Sequence, residues 1–151
     1  MAFDTPNGTR GARQPGTSPL ERFGNRMMAR RARGKGSFEG ASTIALVTIG
    51  SKSGEERITP VAWFPAGGNS GYITATAGGA ARNPAWYYNL AAHPDRVGVE
   101  VGGERVAVTA SQLHGDERDE AWRLITARSN GFVKYEKATD RVIPVIRLTR
   151  R

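Results

Sequence analysis

The chain reads as an α+β, mainly β domain: a small antiparallel barrel of about six strands with two or three helices. Short apolar runs that alternate with polar residues predict the strands. Glycine-rich turns between those runs predict hairpins, and hairpins imply an antiparallel sheet that closure into a barrel would protect at its edges. Nineteen glycines, eight prolines and a hydrophobic fraction of only 38% in 151 residues favour strands and turns over a helical bundle.

The elements follow in order. Residues 1–17 are rich in Gly, Pro, Thr and Arg and are expected to form a disordered basic arm. Residues 18–35 are expected to form a basic amphipathic helix, with Ser18 or Pro19 at its start. Leu20, Phe23 and Met27 share one face at helical spacing, while Arg22, Arg26, Arg30 and Arg33 fall largely elsewhere. Gly24 weakens this helix. Two readings stay open for it. It packs on its own domain, or it docks on an anionic membrane surface, where each nearby Lys or Arg is worth about 1 kcal/mol.

Residues 36–151 are expected to form the barrel. Residues 43–49 predict a buried strand and 51–56 a turn. Residues 58–64 predict the returning strand, with Pro60 marking an edge or a bulge. A turn at 67–71 leads to a strand over 72–77. A helix is expected from Asn83, its cap, with Pro84 at the first helical position, to near Pro94. Val97, Val99 and Val101 predict a half-buried strand, Gly102 and Gly103 a turn, and Val106, Val108 and Ala110 the next strand. Asp116 and Asp119 signal a helix start, with Ala121, Trp122 and Ile125 on its apolar face. Residues 129–139 read as irregular or weakly helical. Residues 142–148 read as a closing strand in which Pro144 predicts an edge position or a bulge.

Composition narrows the chemistry. With no cysteine, disulfides, thiol nucleophiles and cysteine metal sites are excluded. The two histidines, His93 and His114, sit beside loop positions and lack partners at metal spacing, so no metal site is expected and no Ser-His-Asp arrangement is supported. Both read as solvated loop residues. Chemistry would therefore rest on a bound organic cofactor. The net charge of +8 is uneven: residues 1–35 hold eight basic and two acidic residues, leaving the remainder nearly neutral. The basic arm has no interleaved aromatic platform, so nucleic-acid binding is not expected. No apolar run reaches the roughly 20 residues of a membrane span, and the amino end lacks the apolar core of a secretory signal. The expected location is the cytoplasm, with peripheral attachment to the inner face of the membrane as the lipid reading of the helix.

One juncture carries most of the functional information. The strand end Thr74-Ala75-Thr76-Ala77-Gly78-Gly79 runs into Asn83-Pro84-Ala85-Trp86-Tyr87-Tyr88-Asn89-Leu90. A strand end, a glycine pair and a helix start bring backbone N–H groups to one point, which suits an anion. Flat aromatic side chains beside them suit a ligand with a planar ring and a charged tail. Spacing alone leaves Trp86 and Tyr87 open to a plain core role. Lys52 and Arg57 flank one turn and can converge on an anion, as a point charge and a planar fork. Read without further context they are equally an exposed pair near Glu55 and Glu56.

The segment from Asn83 to Leu90 reads N-P-x-W-Y-x-N-L, and so resembles the deazaflavin (coenzyme F420)-dependent nitroreductase and quinone reductase family. Further segments match in the same order: Thr48-Ile49-Gly50-Ser51-Lys52-Ser53-Gly54 with Arg57, Pro60 and Val61; His93-Pro94 with Val97, Val99 and Val101; and Thr139-Asp140-Arg141-Val142-Ile143-Pro144-Val145. The resemblance covers roughly residues 19–149. It implies a split antiparallel β-barrel of the FMN-binding type, with about six strands and two to four helices. It implies an oxidoreductase that passes a hydride from reduced 8-hydroxy-5-deazaflavin to a quinone-like or other electron-poor small molecule. The cofactor residues it implies are Ser51, Lys52, Ser53, Arg57, Thr59, Pro60, Ala75, Thr76, Ala77, Gly78, Gly79, Asn83, Trp86, Tyr87 and Asn89. Substrate contacts fall on Ser129, Phe132 and Tyr135, and catalytic roles on Thr76 and Tyr135, since a phenol is both donor and weak acid.

This chain departs from the family at two places. Thr76 and Ala77 stand where members often have Ser and Lys, so the hydroxyl is kept and a charge lost, which Arg82 would restore. Ser129, Phe132 and Tyr135 stand where the nitroreductases carry tyrosines, which weighs against nitroimidazole-type reduction. Two rivals remain: a split-barrel oxidoreductase that uses FMN, and a non-enzymatic module for lipid or another apolar ligand.

Overall fold

The computed structural model describes residues 3–15 and 18–151. Helix α1 (Pro19–Arg33) starts where Ser18 accepts a hydrogen bond from the Glu21 N–H and Pro19 occupies the first turn. Strands β1 (Thr43–Ile49), β2 (Glu56–Ala62), β3 (Phe64–Pro65) and β4 (Ser70–Thr74) follow, then helix α2 (Ala85–Ala92) and strands β5 (Val97–Val101) and β6 (Glu104–Gln112). Helices α3 (Gly115–Arg128) and α4 (Gly131–Ala138) precede the last strand, β7 (Val145–Arg150). Every strand pairing is antiparallel, and the sheet order is β2-β1-β5-β6-β7-β4-β3. The strands at the two ends of that order, β2 and β3, are separated in sequence by Trp63 alone. The sheet must therefore curl until its edges meet, and the result is a split β-barrel.

The barrel interior is filled by Leu46, Trp63, Ile73, Leu90, Val99, Val108, Ile146 and Leu148. Burial of each aliphatic side chain contributes about 1.5–3 kcal/mol. Trp63 donates its indole N–H to the Phe38 carbonyl at 2.7 Å. A Cβ on Gly71 would lie 2.4 Å from the Trp63 ring, so only glycine lets β4 pass the indole. A second cluster seats α3 through Ala121, Trp122 and Ile125 against Phe64, Leu113, Ile143 and Val145.

Several expectations need correction. Pro144 precedes β7, which is an interior strand between β6 and β4, and no edge position arises there. Pro60 does lie on an edge strand, β2. Within the 129–139 stretch, expected to be irregular or weakly helical, Gly131–Ala138 forms the helix α4. Strand β5 is buried throughout. Its valines face the barrel, and Glu100 on the other side is covered by Arg33 and Arg105. Arg105 also reaches Glu56, and this chain of ion pairs links α1, β2, β5 and β6.

Helix α1 packs on its own domain, but not through the face the periodicity predicts. Ala29 and Ala32 are its buried residues, set against Ala45 and Ile58. Leu20 (79% exposed), Phe23, Met27 and Met28 point to solvent. Two small residues let the helix lie close to the sheet, which the hydrophobic count along the helix does not reveal.

Residues 3–15, within the expected disordered arm, carry hydrogen bonds to the domain. Asp140 accepts hydrogen bonds from the N–H groups of Thr9 (2.8 Å) and Arg10 (3.0 Å) and from the Thr9 hydroxyl. Thr139 donates its hydroxyl to the Arg10 carbonyl at 2.7 Å. Gly8 N–H donates to Ala81 and Ala12 N–H to Gly79. Phe3 packs edge-on against Tyr87. The arm's contacts are mostly backbone and side-chain hydrogen bonds. For Met1, Ala2, Gly16 and Thr17 the expectation falls outside the described residues.

Hydrogen bonds from Thr9, then from the Arg10 N–H, hold the Asp140 carboxyl down at about 2, below the usual carboxylate range. A depressed folded value stabilises the docked arm above the ordinary carboxylate pKa and loses that contribution as pH falls toward the folded value. Amide exchange of residues 8–12 is therefore expected to speed up as pH is lowered from about 4 toward 2, after correction for intrinsic exchange. Asp140→Asn should speed it at neutral pH and leave the barrel protected. Unchanged exchange in that variant would show that the clasp does not hold the arm.

Candidate active site

A cleft of about 1260 Å³ opens at the rim of the barrel. Its walls are the β1–β2 turn, the loop between β4 and α2, the start of α2, the arm and α4.

The β1–β2 turn is closed by a Gly50 N–H to Glu55 carbonyl bond of 2.7 Å. Asn89 on α2 fixes its position: the side-chain oxygen accepts from the Ser51 N–H at 2.9 Å, and the amide donates to the Thr48 hydroxyl at 3.1 Å. Ser51, Lys52, Ser53 and Arg57 line the cleft from this turn, with Thr59 and Pro60 beyond them. Arg57 lies 3.6 Å from Glu55 and donates to the Ser53 hydroxyl at 3.4 Å. That pair is exposed and contributes well under about 1 kcal/mol. Lys52 is exposed and forms no ion pair among the described residues.

The opposite wall is the loop after β4. Thr76 is in the right-handed helical region, and Ala77 and Gly78 have positive φ of 47° and 63°. Consecutive right- and left-handed residues turn their N–H groups toward one point, an anion-binding nest. A non-glycine residue held at positive φ costs of order 1 kcal/mol or more and persists because surrounding contacts enforce it. Those contacts are visible. A Cβ on Gly79 would meet the Tyr135 carbonyl at 2.8 Å, and one on Gly11 would meet Ala81 N at 2.3 Å, so α4 and the arm clamp the loop. Gly78 has nothing within 4 Å of its Cβ position and leaves open space beside the nest.

Beneath the loop lies Arg141, only 4% exposed. Its guanidinium donates to the carbonyls of Ala75 (2.7 Å), Thr76 (2.8 Å) and Ala80 (3.0 and 3.2 Å) and to the Asn83 side-chain oxygen (2.8 Å). Burial pushes its pKa down, opposed by Tyr88 and Tyr87. Asn83 does not cap α2, because Pro84 occupies that position. The Asn83 N–H donates to the Asn7 side-chain oxygen (2.9 Å), which also accepts from the Tyr88 hydroxyl (2.8 Å), and the Asn83 amide donates to Thr5. The arm is thus part of the wall.

The structure brings most of the expected site residues together: Ser51, Lys52, Ser53, Arg57, Thr59, Pro60, Thr76, Ala77, Gly78, Asn83, Trp86, Asn89, Phe132 and Tyr135 all line the cleft. Arg82 does too. Four do not. Tyr87 is 1% exposed, donates its hydroxyl to Gln112 at 2.5 Å and accepts from the Thr5 N–H at 3.1 Å. It is a core residue, and Tyr88 faces the cleft instead, because neighbours on a helix point about 100° apart. Ala75 and Gly79 are buried behind the loop as its backing. Ser129 ends α3, its N–H bonded to the Ile125 carbonyl, away from the cleft. His114, expected to be merely solvated, pairs with Asp4 of the arm at 2.9 Å. Sequence alone does not single out Arg141 or Asn7 as site residues. Arg141 lies within the Thr139–Val145 match, but only the fold shows what it holds.

A model of the F420H(2)-dependent quinone reductase family matches residues 22–150. An F420H(2)-dependent quinone reductase of Mycobacterium tuberculosis is 37% identical over 112 residues, spanning 72% of this chain and 74% of that protein. Among solved structures, an F420-H2 dependent reductase, FDR-A, is 32% identical with a TM-score of 0.64, covering 71% of this chain and 93% of its own. Another, described as a domain-swapped dimer, is 30% identical with a TM-score of 0.65 over 87% and 99% of the two chains. With the matched region enclosing nearly the whole cleft, the chain belongs to the F420H(2)-dependent quinone reductase family and is a deazaflavin-dependent oxidoreductase.

Proposed function

We propose that the cleft binds reduced 8-hydroxy-5-deazaflavin, coenzyme F420, and that a hydride passes from it to a quinone-like acceptor seated against Phe132 and Tyr135. The observation that carries this is the pairing of Lys52, a cation with no ion-pair partner among the described residues, with the amide nest at Thr76–Gly78 across the same cleft. The residues fit such a group: cations for an acidic tail, N–H donors and open space at Gly78 for a planar ring, and Trp86 as an apolar wall. When bound, the reduced deazaflavin supplies the hydride.

The chain's own residues bind, orient and exclude water. Lys52 and Arg57 hold the acidic tail, with Ser51 and Ser53 donating beside them. Thr59 and Pro60 border the ring's polar edge. The N–H groups of Thr76, Ala77 and Gly78 meet its electron-rich atoms. Asn89 acts through Ser51 by fixing the turn. Tyr135 holds the acceptor oxygen and delivers a proton to it, with the Thr76 hydroxyl as the other donor in reach of the cleft.

Titration of the protein with the deazaflavin and with FMN tests the cofactor. The deazaflavin should bind more tightly. Lys52→Ala and Arg57→Ala should each weaken it by about 1–3 kcal/mol, the scale of a lost charge-assisted hydrogen bond, with apoprotein stability little changed. Tight FMN binding without deazaflavin binding would refute the assignment. For the acceptor, Tyr135→Phe should lower turnover with a quinone at least about tenfold while cofactor affinity holds, since general acid assistance is worth 10²–10⁴-fold. Unchanged single-turnover oxidation would leave Tyr135 as a wall only.

A second proposal concerns α1. No helix among the described residues is long and apolar enough to cross a membrane. Exposed Leu20, Phe23, Met27 and Met28 accompany Arg26, Arg30 and Arg31 on a helix whose Asn25 borders the cleft. This combination suits peripheral docking on anionic lipid, with the apolar side chains in the interface and the cations at the headgroups. The protein should co-sediment with anionic vesicles at low salt and be released at high salt, as screening shortens the reach of its charges. Absence of binding at low salt would remove this role.

A further inference from the structure

We infer that Arg141 is a positioning residue for the cofactor reaction: it shapes the Ala75–Asn83 loop into the amide nest and sets a positive charge with no carboxylate in contact behind the bound ring. The inference rests on the deazaflavin reading above and deepens it.

Among the described residues, every hydrogen bond of the guanidinium goes to a neutral oxygen, on three backbone carbonyls and the Asn83 side chain. A buried arginine ordinarily meets an acid, because an uncompensated charge in low dielectric is costly. The neighbouring acid, Asp140, is turned outward to Thr9 and Arg10. The charge is therefore retained at a cost, solvated by backbone dipoles and the Asn83 amide.

The arrangement has a consequence for the cleft. All peptide bonds in the described chain are trans, so each carbonyl and the following N–H point in opposite directions. With the Ala75 and Thr76 carbonyls drawn down onto Arg141, the N–H groups of Thr76 and Ala77 are turned away from it, toward the cleft that both residues line. Neither donates to another described residue. The same guanidinium sets Asn83, and so the entry to α2 that carries Trp86. An electron-rich ring edge resting on these N–H groups sees aligned dipoles with a cation behind them, an arrangement worth more in a dry site than in water. Lysine would keep the charge but not the planar fork that holds several carbonyls at once.

The test compares the parent with Arg141→Met and Arg141→Lys in three measurements. These are amide exchange of residues 75–81 without cofactor, affinity for the oxidised deazaflavin, and the absorbance of the bound deazaflavin against pH, which reports ionisation of its ring hydroxyl. The Met variant should exchange faster and bind about ten- to a hundredfold more weakly, the scale of lost charged hydrogen bonds. Its bound ring should ionise at higher pH than in the parent, because the cation that favours the anionic ring is gone. The Lys variant should lose affinity yet keep a near-parental ionisation profile. A Met variant with parental exchange, or with weakened binding but the parental ionisation profile, overturns the inference, since a mere structural pin would leave the profile alone. If the Met variant fails to fold, the Lys variant decides: affinity within about twofold of the parent, or an ionisation profile displaced from it, is the overturning result. If the parent itself takes up no deazaflavin, the cofactor reading fails and this inference falls with it, a result recognised before any substitution is compared.

Discussion

Trp63 imposes the constraint on which the rest of the molecule depends. It is the single residue between two strands that occupy opposite ends of the sheet order, so the sheet has no option but to curl. Its indole is buried, hydrogen-bonded to Phe38 and pressed against Gly71, and each of those contacts ties a different segment to the seam. Curling also decides where a ligand can go. The barrel interior is filled by aliphatic and aromatic side chains, leaving the rim, where strands end and loops begin, as the place for an open cleft.

The rim is built differently from the barrel. The barrel is stabilised by apolar burial and regular strand ladders, the rim by polar groups that satisfy one another across long sequence separations. Arg141 collects carbonyls from the β4–α2 loop, Asn89 fixes the β1–β2 turn, and Asn7 joins the arm to α2. Each hydrogen bond is individually worth about 1 kcal/mol, but removing one partner strands a buried donor or acceptor and costs more. Such a network holds a loop with positive φ at Ala77 in one shape.

Much of the barrel was legible in sequence. The run at β1, the alternation in β5 and β6 and the glycine turns located most strands, since side-chain period and turn chemistry are local properties. Lys52, Arg57 and the Thr76–Gly78 loop, which the resemblance singles out where spacing alone leaves them open, do line the cleft. What failed did so for physical reasons. Tyr87 and Tyr88 are equally aromatic, and only the direction of α2 against the barrel sends one to the core and the other to the cleft. The arm's low hydrophobicity gives no sign of its hydrogen bonds to Asp140 and Thr139, some 130 residues away. Helix α1 was judged by its largest side chains, whereas its smallest make the contact.

By itself the sequence determined the class of fold, the absence of cysteine chemistry, the charge asymmetry and the family to which the cleft residues belong. These follow from composition, local periodicity and short contiguous segments. The tertiary structure alone decided that the arm is a wall of the site, that Tyr88 and not Tyr87 faces the cleft, that Ser129 lies outside it, and that Arg141 stands beneath the nest. Each of those depends on which polar group meets which across the closed barrel, and hydrogen bonds between distant segments leave no period and no spacing in the chain.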